Sequence, residues 1–133
     1  MTSQTSAEAQ ARQLQLLIAF VFLVLGGWCL VAPASVIALT VREELHTVHP
    51  VALIAMGAFG AQAVLAGLFA AFSRFTRMTF LVFGLALLPF FVFDYWFYAV
   101  EPVFNALILL DVIGNVIMLG VCARGYWLLR PAG

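Results

Sequence analysis

Two carboxylic acids stand inside long apolar segments of this 133-residue sequence. Asp94 lies in segment 78–100 and Asp111 lies in segment 103–123. A charged side chain at the centre of a bilayer costs about 2.5–3.5 kcal/mol on insertion scales, so such a residue is a functional candidate by default. The chemistry available to these acids is proton exchange, cation binding, or hydrogen bonding from a neutral carboxyl group.

Asn115 belongs with these acids, because it follows Asp111 by four residues and therefore shares its helix face. Gly114 leaves room beside it, and Tyr95 adjoins Asp94. We take Asp94, Tyr95, Asp111 and Asn115 as the candidate catalytic residues. The alternative is that a protonated Asp111 only forms a structural hydrogen bond, either with Asn115 or with a neighbouring helix.

The depth of the two acids follows from their positions in the predicted helices. Asp94 is six residues from Val100 and Asp111 is eight from Val103. At about 1.5 Å per residue they lie roughly 9 and 12 Å below the same membrane surface. If the third and fourth predicted helices are neighbours, both acids could open into one outward-facing cavity.

A second candidate site lies in the loop before the second apolar segment. Glu43, His46 and His49 follow one another at three-residue steps, which in helical geometry would present two imidazoles and a carboxylate together. These are ligand types for zinc or a non-haem divalent metal, and either histidine could serve as an axial haem ligand. The alternative is that the three residues are solvated at the membrane interface.

Composition decides the class of protein. The chain is 65% hydrophobic and 9% charged, with a mean hydropathy of +1.13. A soluble domain is about 45–50% apolar and about 25% charged. We therefore expect an integral membrane protein with the lipid bilayer as its main partner. The formal net charge of zero leaves no basic excess for nucleic acid, which we exclude as a partner.

Four segments are long enough to span a bilayer, which requires about 20 apolar residues. The predicted helices are, in order, 14–31, 51–72, 78–100 and 103–123. The fold class is thus all-α, a single four-helix membrane bundle. An alternative interpretation makes 14–31 a signal peptide that is cleaved after 32–34.

Prolines and short loops define the boundaries. Pro33 ends the first helix, and Pro50 and Pro102 suit the first turns of the second and fourth helices. The connections 73–77 and 101–102 are so short that the second, third and fourth helices are expected to be antiparallel neighbours. The longer first connection holds an apolar stretch, 34–41, that would lie in the interface or dip back into the bundle.

Arginine positions predict the orientation. Five of the six arginines flank one side of the predicted helices, and only Arg42 lies on the other. The positive-inside rule then places both termini in the cytoplasm, in a multi-pass protein of the inner (plasma) membrane. The external end carries the acids and both histidines.

Small residues on the second helix predict how the bundle packs. Gly60, Ala63, Gly67 and Ala70 recur at spacings of three and four, forming a ridge that allows close backbone approach. The ridge would bind another helix of this chain or, alternatively, a second copy, giving a homo-oligomer or a larger membrane complex. The aromatic run at 89–98 is either an interfacial belt or part of a pocket for a small, flat hydrophobic ligand.

The segment 23–40, LVLGGWCLVAPASVIALT, followed by a Gly/Ala-rich helix, resembles the DoxX-like group of small four-helix bacterial membrane proteins. Pro33 and the ridge from Gly60 to Gly67 are the matching positions. The resemblance implies an accessory subunit or a partner of a membrane oxidoreductase. The chain is also similar to membrane epoxide isomerases of the styrene oxide isomerase type, which implies that His46 or His49 binds haem.

Three functions are compatible with these patterns. We favour an accessory subunit or self-associating module. The second is a haem- or metal-dependent membrane enzyme, an isomerase or oxidoreductase, acting on a small hydrophobic substrate in an outward-facing pocket. The third is a proton-coupled small-molecule transporter that uses Asp111.

Overall fold

The computed structural model describes residues 2–130, with side chains from residue 6 onward. The chain is predominantly helical, and the described residues contain no strand. The helices are α1 (Thr2–Val31), α2 (Pro33–Thr40), α3 (Pro50–Phe72), α4 (Arg77–Tyr95) and α5 (Ile108–Leu128), with a 3₁₀ turn at Glu43–Leu45 and a π-helical turn at Trp96–Val100. Four stretches, Ser6–Val31, Pro50–Phe72, Arg77–Val100 and Ile108–Leu128, are long and apolar enough to cross a membrane.

The helix boundaries follow local chemistry. α1 ends at Val31 before Pro33, as the sequence predicts, and Pro33 begins the additional helix α2. Pro50 begins α3, and the His49 side chain caps this helix by accepting a hydrogen bond from the Val51 N–H at 3.3 Å. The apolar stretch that was expected to lie in the interface or re-enter the bundle forms the short helix α2.

The fourth predicted helix begins later than expected. The sequence predicts a start at Val103 after Pro102, whereas α5 begins at Ile108. The N–H of Val103 donates to the Phe97 carbonyl at 2.8 Å, and the N–H of Asn105 donates to the Thr40 carbonyl at 2.9 Å. These bonds tie the segment to the preceding turn and to α2, so it cannot wind into the first turn of α5.

The helix pairing agrees with the prediction for the third and fourth spanning helices and differs for the second and third. α1 packs along α3, α4 packs along α5, and α1 also contacts α5. α3 and α4, which were expected to be close neighbours, have no extensive backbone contact; the rings of Phe59 and Phe90 meet at 6.4 Å between centroids. A short loop therefore holds two helix ends together without making the helices each other's main partner.

The small-residue ridge of α3 packs against α1. Gly60, Gly67 and Ala70 are buried, and a Cβ atom on Gly60 would lie 2.7 Å from the Gly26 carbonyl oxygen. A Cβ on Gly26 would in turn lie 2.7 Å from the Cβ of Ala63. The predicted ridge thus packs within this chain, at a distance that only glycine permits.

Two ends of the bundle are chemically different. We call the end that holds Arg12, the 73–77 connection and Tyr126 the basic end. Five of the six arginines lie at or near it: Arg12, Arg74, Arg77, Arg124 and Arg130. The opposite end, with Glu43, Glu44, Glu101 and both histidines, is the acidic end.

Candidate functional site

Three polar side chains from α4 and α5 meet inside the bundle, and we call Asp94, Asp111 and Asn115 the carboxyl cluster. The Asn115 Nδ2 donates to Asp111 Oδ2 at 2.9 Å and lies 3.5 Å from Asp94 Oδ2. Asp94 is only 2% exposed, whereas Asp111 is exposed and Asn115 is half-buried. The predicted face shared by Asp111 and Asn115 exists, and Asp94 joins it from the neighbouring helix.

The late start of α5 changes the surroundings of Asp111. This acid was expected eight residues into a helix, but it lies three residues after Ile108, in the first turn of α5. The first turn of a helix favours negative charge, because its N–H groups are unpaired and the helix dipole is positive there. The cluster therefore combines one carboxyl group at a helix N-terminus with one that is almost fully buried.

The end of α4 positions Asp94. Pro89 lies within α4, and the helix widens into the π-helical turn Trp96–Val100 directly after Tyr95. A π-turn changes which side of the helix the following residues occupy, and such turns are frequent at functional sites. Asp94 packs towards α5, whereas Tyr95 is 66% exposed and makes no hydrogen bond within the described part of the chain. Tyr95 therefore does not join the carboxyl cluster.

Aromatic rings surround the acidic end of α4. The ring centroids of Phe93 and Phe97 are 4.7 Å apart, and Phe104 lies 6.0 Å from Phe93. A shallow apolar groove of about 840 Å³ runs along α4 and is lined by Leu85, Leu88, Pro89, Val92, Phe93, Trp96 and Phe97. The carboxyl cluster is not part of its lining. The groove therefore offers contact to an apolar molecule without access to the acids.

The histidine loop does not form the helical array on which its metal prediction depends. The 3₁₀ turn ends at Leu45, and the backbone at His46 and His49 is extended, with ψ of 132° and 133°. His46 Nε2 lies 2.9 Å from the Val41 carbonyl oxygen, while His49 caps α3. Among the described residues no group of three or more His, Cys, Asp and Glu is placed to hold a metal ion. The structure therefore does not bring Glu43, His46 and His49 together.

Sequence reasoning overlooked Gln15, which lies in α1 and is 2% exposed. Its Nε2 donates to the carbonyl oxygens of Ala70 and Ser73, and its Oε1 accepts from the Phe75 N–H at 3.1 Å. This one amide therefore forms hydrogen bonds with three backbone groups, at the end of α3 and in the connection to α4. The available signal was a polar residue within an apolar run, since an amide in such a place needs hydrogen-bond partners.

The two cysteines and the lone arginine of the acidic end lie outside the carboxyl cluster. Cys29 and Cys122 are both buried and free. Arg42, the lone arginine at the acidic end, donates from Nε to the Phe104 carbonyl at 3.2 Å. It therefore helps to hold the segment before α5.

Fold and site together define a predominantly helical chain with four potential membrane spans and a carboxyl cluster between the last two. Comparison with family models, with curated proteins and with solved structures finds no match. The resemblance to DoxX-like proteins, and the accessory role that it implies, stay predictions.

Proposed function

We propose that this chain is a proton-coupled membrane transporter of small molecules and that the carboxyl cluster is its coupling site. The observation that carries the proposal is the Asn115 amide between a buried Asp94 and an exposed Asp111. Two carboxyl groups that both lie within 3.5 Å of the same amide nitrogen repel each other when both are charged, so sharing one proton is favourable. Asp111 provides contact with the surroundings through which that proton can exchange.

The proposal includes an orientation. The basic end would face the cytoplasm of a cell whose inner membrane holds the protein, because arginines concentrate on the cytoplasmic side of membrane proteins. The carboxyl cluster would then lie nearer the external surface. Protons would enter the cluster from outside, and a cationic small molecule would compete with the proton for the same carboxylates.

The test uses the purified full-length chain in proteoliposomes with an imposed proton gradient. Uptake of tetraphenylphosphonium, a hydrophobic cation, is measured together with proton movement reported by a trapped pH-sensitive dye. Asp111→Asn should abolish gradient-driven uptake, and Asp94→Asn should reduce it at least tenfold. The matched control is Glu101→Gln, because Glu101 is an exposed acid outside the cluster.

Two results would contradict the coupling role. One is gradient-driven uptake by Asp111→Asn at the wild-type rate. The other is an equal loss in Glu101→Gln, because a general effect of surface charge would then explain the data. Circular dichroism and size-exclusion profiles of each variant establish that the variants are folded before uptake is compared.

A second candidate, a self-associating module, is supported by Gln62. This residue lies at the middle of α3, is exposed, and has no hydrogen bond from its amide within the described residues. Hydrogen bonds between membrane helices contribute about 0.6 kcal/mol on average and up to about 1.7. Gln62→Leu should therefore weaken self-association about three- to eighteenfold in a dilution experiment measured by energy transfer in liposomes. Val82→Leu, on the exposed face of α4, is the control.

A further inference from the structure

An open cavity lies at the basic end, between the start of α1, the connection from α3 to α4, and the end of α5. Its volume is about 890 Å³, within the range of about 300–1,000 Å³ that is common for small-molecule sites. We call it the basic cavity. Its charged lining residues are Glu8, Arg12, Arg74 and Arg77. Three arginines against one glutamate give the lining a formal charge of +2.

Two of these arginines are held in place by the fold. The guanidinium of Arg12 donates to the Ala71 carbonyl at 2.7 Å and to the Ser73 carbonyl at 3.1 Å, at the end of α3. The guanidinium of Arg77 donates from Nη2 to the Tyr126 hydroxyl at 2.7 Å and lies 4.2 Å from the centre of that ring. Positive charge in the cavity is thus positioned before any ligand arrives.

Arg77 and Arg74 retain hydrogen-bond donors that could serve a ligand. Arg77 Nε is buried and has no hydrogen-bond partner among the described residues. Arg74 is 83% exposed at its side chain and pairs with Glu8 at 3.2 Å. An ion pair this exposed contributes little to stability, so Arg74 can exchange Glu8 for a stronger anion at small cost. The cavity therefore has an excess of donors for an anionic group.

We propose that the basic cavity binds the phosphate group of an anionic ligand. Arginine matches the oxygen geometry of phosphate, and the N-terminus of α4 at Arg77 adds backbone N–H groups that favour an anion. The cavity lies at the end of the potential membrane spans, where lipid headgroups are found, and basic pockets between membrane helices bind such headgroups. An anionic phospholipid and free phosphate share this chemistry, and the experiment separates them.

The experiment follows the thermal unfolding of the full chain in an uncharged detergent by tryptophan fluorescence. Dioctanoyl phosphatidylglycerol, dioctanoyl phosphatidylcholine and inorganic phosphate are titrated separately. A ligand that binds only the folded state raises the Tm with saturation. We expect saturation with phosphatidylglycerol and no comparable rise with phosphatidylcholine. A saturating rise with inorganic phosphate alone would assign the same site to the free anion.

Charge variants test whether the ligand occupies this cavity. A charge close to a membrane anion is worth about a fivefold change in affinity. Arg74→Gln should raise the half-saturating concentration about fivefold, whereas Glu8→Gln should lower it by a similar factor, because a competing carboxylate is removed. Both residues are exposed, so neither variant depends on core packing. Arg124→Gln is the control, since Arg124 is exposed in α5 and does not line the cavity.

The proposal is overturned if phosphatidylglycerol and phosphatidylcholine raise the Tm equally and inorganic phosphate has no effect. It is also overturned if Arg74→Gln and Glu8→Gln both bind like the wild type. A fivefold loss in Arg124→Gln equal to that in Arg74→Gln would show general surface attraction and would likewise exclude a defined site. Arg77→Gln supplies a further comparison if it folds, with an expected loss of at least fivefold.

Discussion

Gly60→Ala tests the close contact between α1 and α3 with a single methyl group. An alanine Cβ at this position would lie 2.7 Å from the Gly26 carbonyl oxygen and 2.8 Å from the Cys29 carbonyl carbon. Both atoms belong to the backbone of α1, so neither can rotate away. The backbone nitrogen of Leu30 would be closer still, so the two helices must separate locally by about 1 Å to restore ordinary contacts of 3.4 Å.

The cost of this separation can be worked out from dispersion energy. A gap of about 0.5–1 Å forfeits a quarter to a half of the attraction between packed atoms. For a helix contact worth several kcal/mol this amounts to a loss of about 1–3 kcal/mol, which agrees with the usual cost of overpacking. Alanine also gains about 0.8–1.0 kcal/mol of helix propensity over glycine. A matched control must therefore correct for this gain in helix propensity.

Gly57→Ala is the matched control, because Gly57 lies in the same helix and a Cβ there would have no neighbour within 4 Å. Each variant is unfolded by SDS titration in mixed micelles, and the free energy of unfolding is taken from tryptophan fluorescence. Gly60→Ala should be less stable than Gly57→Ala by about 1–3 kcal/mol. Equal stability of the two variants would refute the close backbone contact between α1 and α3.

Three further substitutions probe other contacts. Gln15→Leu should destabilise the chain by about 2–4 kcal/mol in the same titration, because it leaves the buried Ala70 carbonyl and the buried Phe75 N–H unpaired; exposed Gln13→Leu should have no effect. Phe80→Ala, at a fully buried ring, should cost about 2 kcal/mol, mostly from the cavity left behind, since transfer into lipid adds little; a variant as stable as wild type would contradict this packing. Asn105→Ala should speed hydrogen exchange across residues 39–46, because Asn105 Nδ2 donates to two carbonyls there, at 2.7 and 3.3 Å; unchanged exchange measured by mass spectrometry would exclude this anchor.

The features that depend on local pattern were predictable. Four apolar segments of spanning length follow from composition over about 20 residues, and prolines mark where α1 ends and α3 begins. Asp111 and Asn115 share a face because helix geometry brings residues four apart together, whatever the rest of the chain does. Burial of the ridge on α3 follows likewise from the spacing of Gly60, Gly67 and Ala70.

The features that depend on distant hydrogen bonds and helix pairing were decided by the tertiary structure alone. α5 begins at Ile108 because Asn105 bonds to Thr40, which is 65 positions earlier in the chain, and this places Asp111 in a first helical turn. The three-residue steps of Glu43, His46 and His49 do not bring these side chains together, because the backbone at His46 and His49 is extended where the prediction assumes a helix. The local sequence pattern also does not determine which helices pack against each other. Gly60 packs against the backbone of α1 at Gly26, Cys29 and Leu30, because glycine has no side chain to hold the two backbones apart.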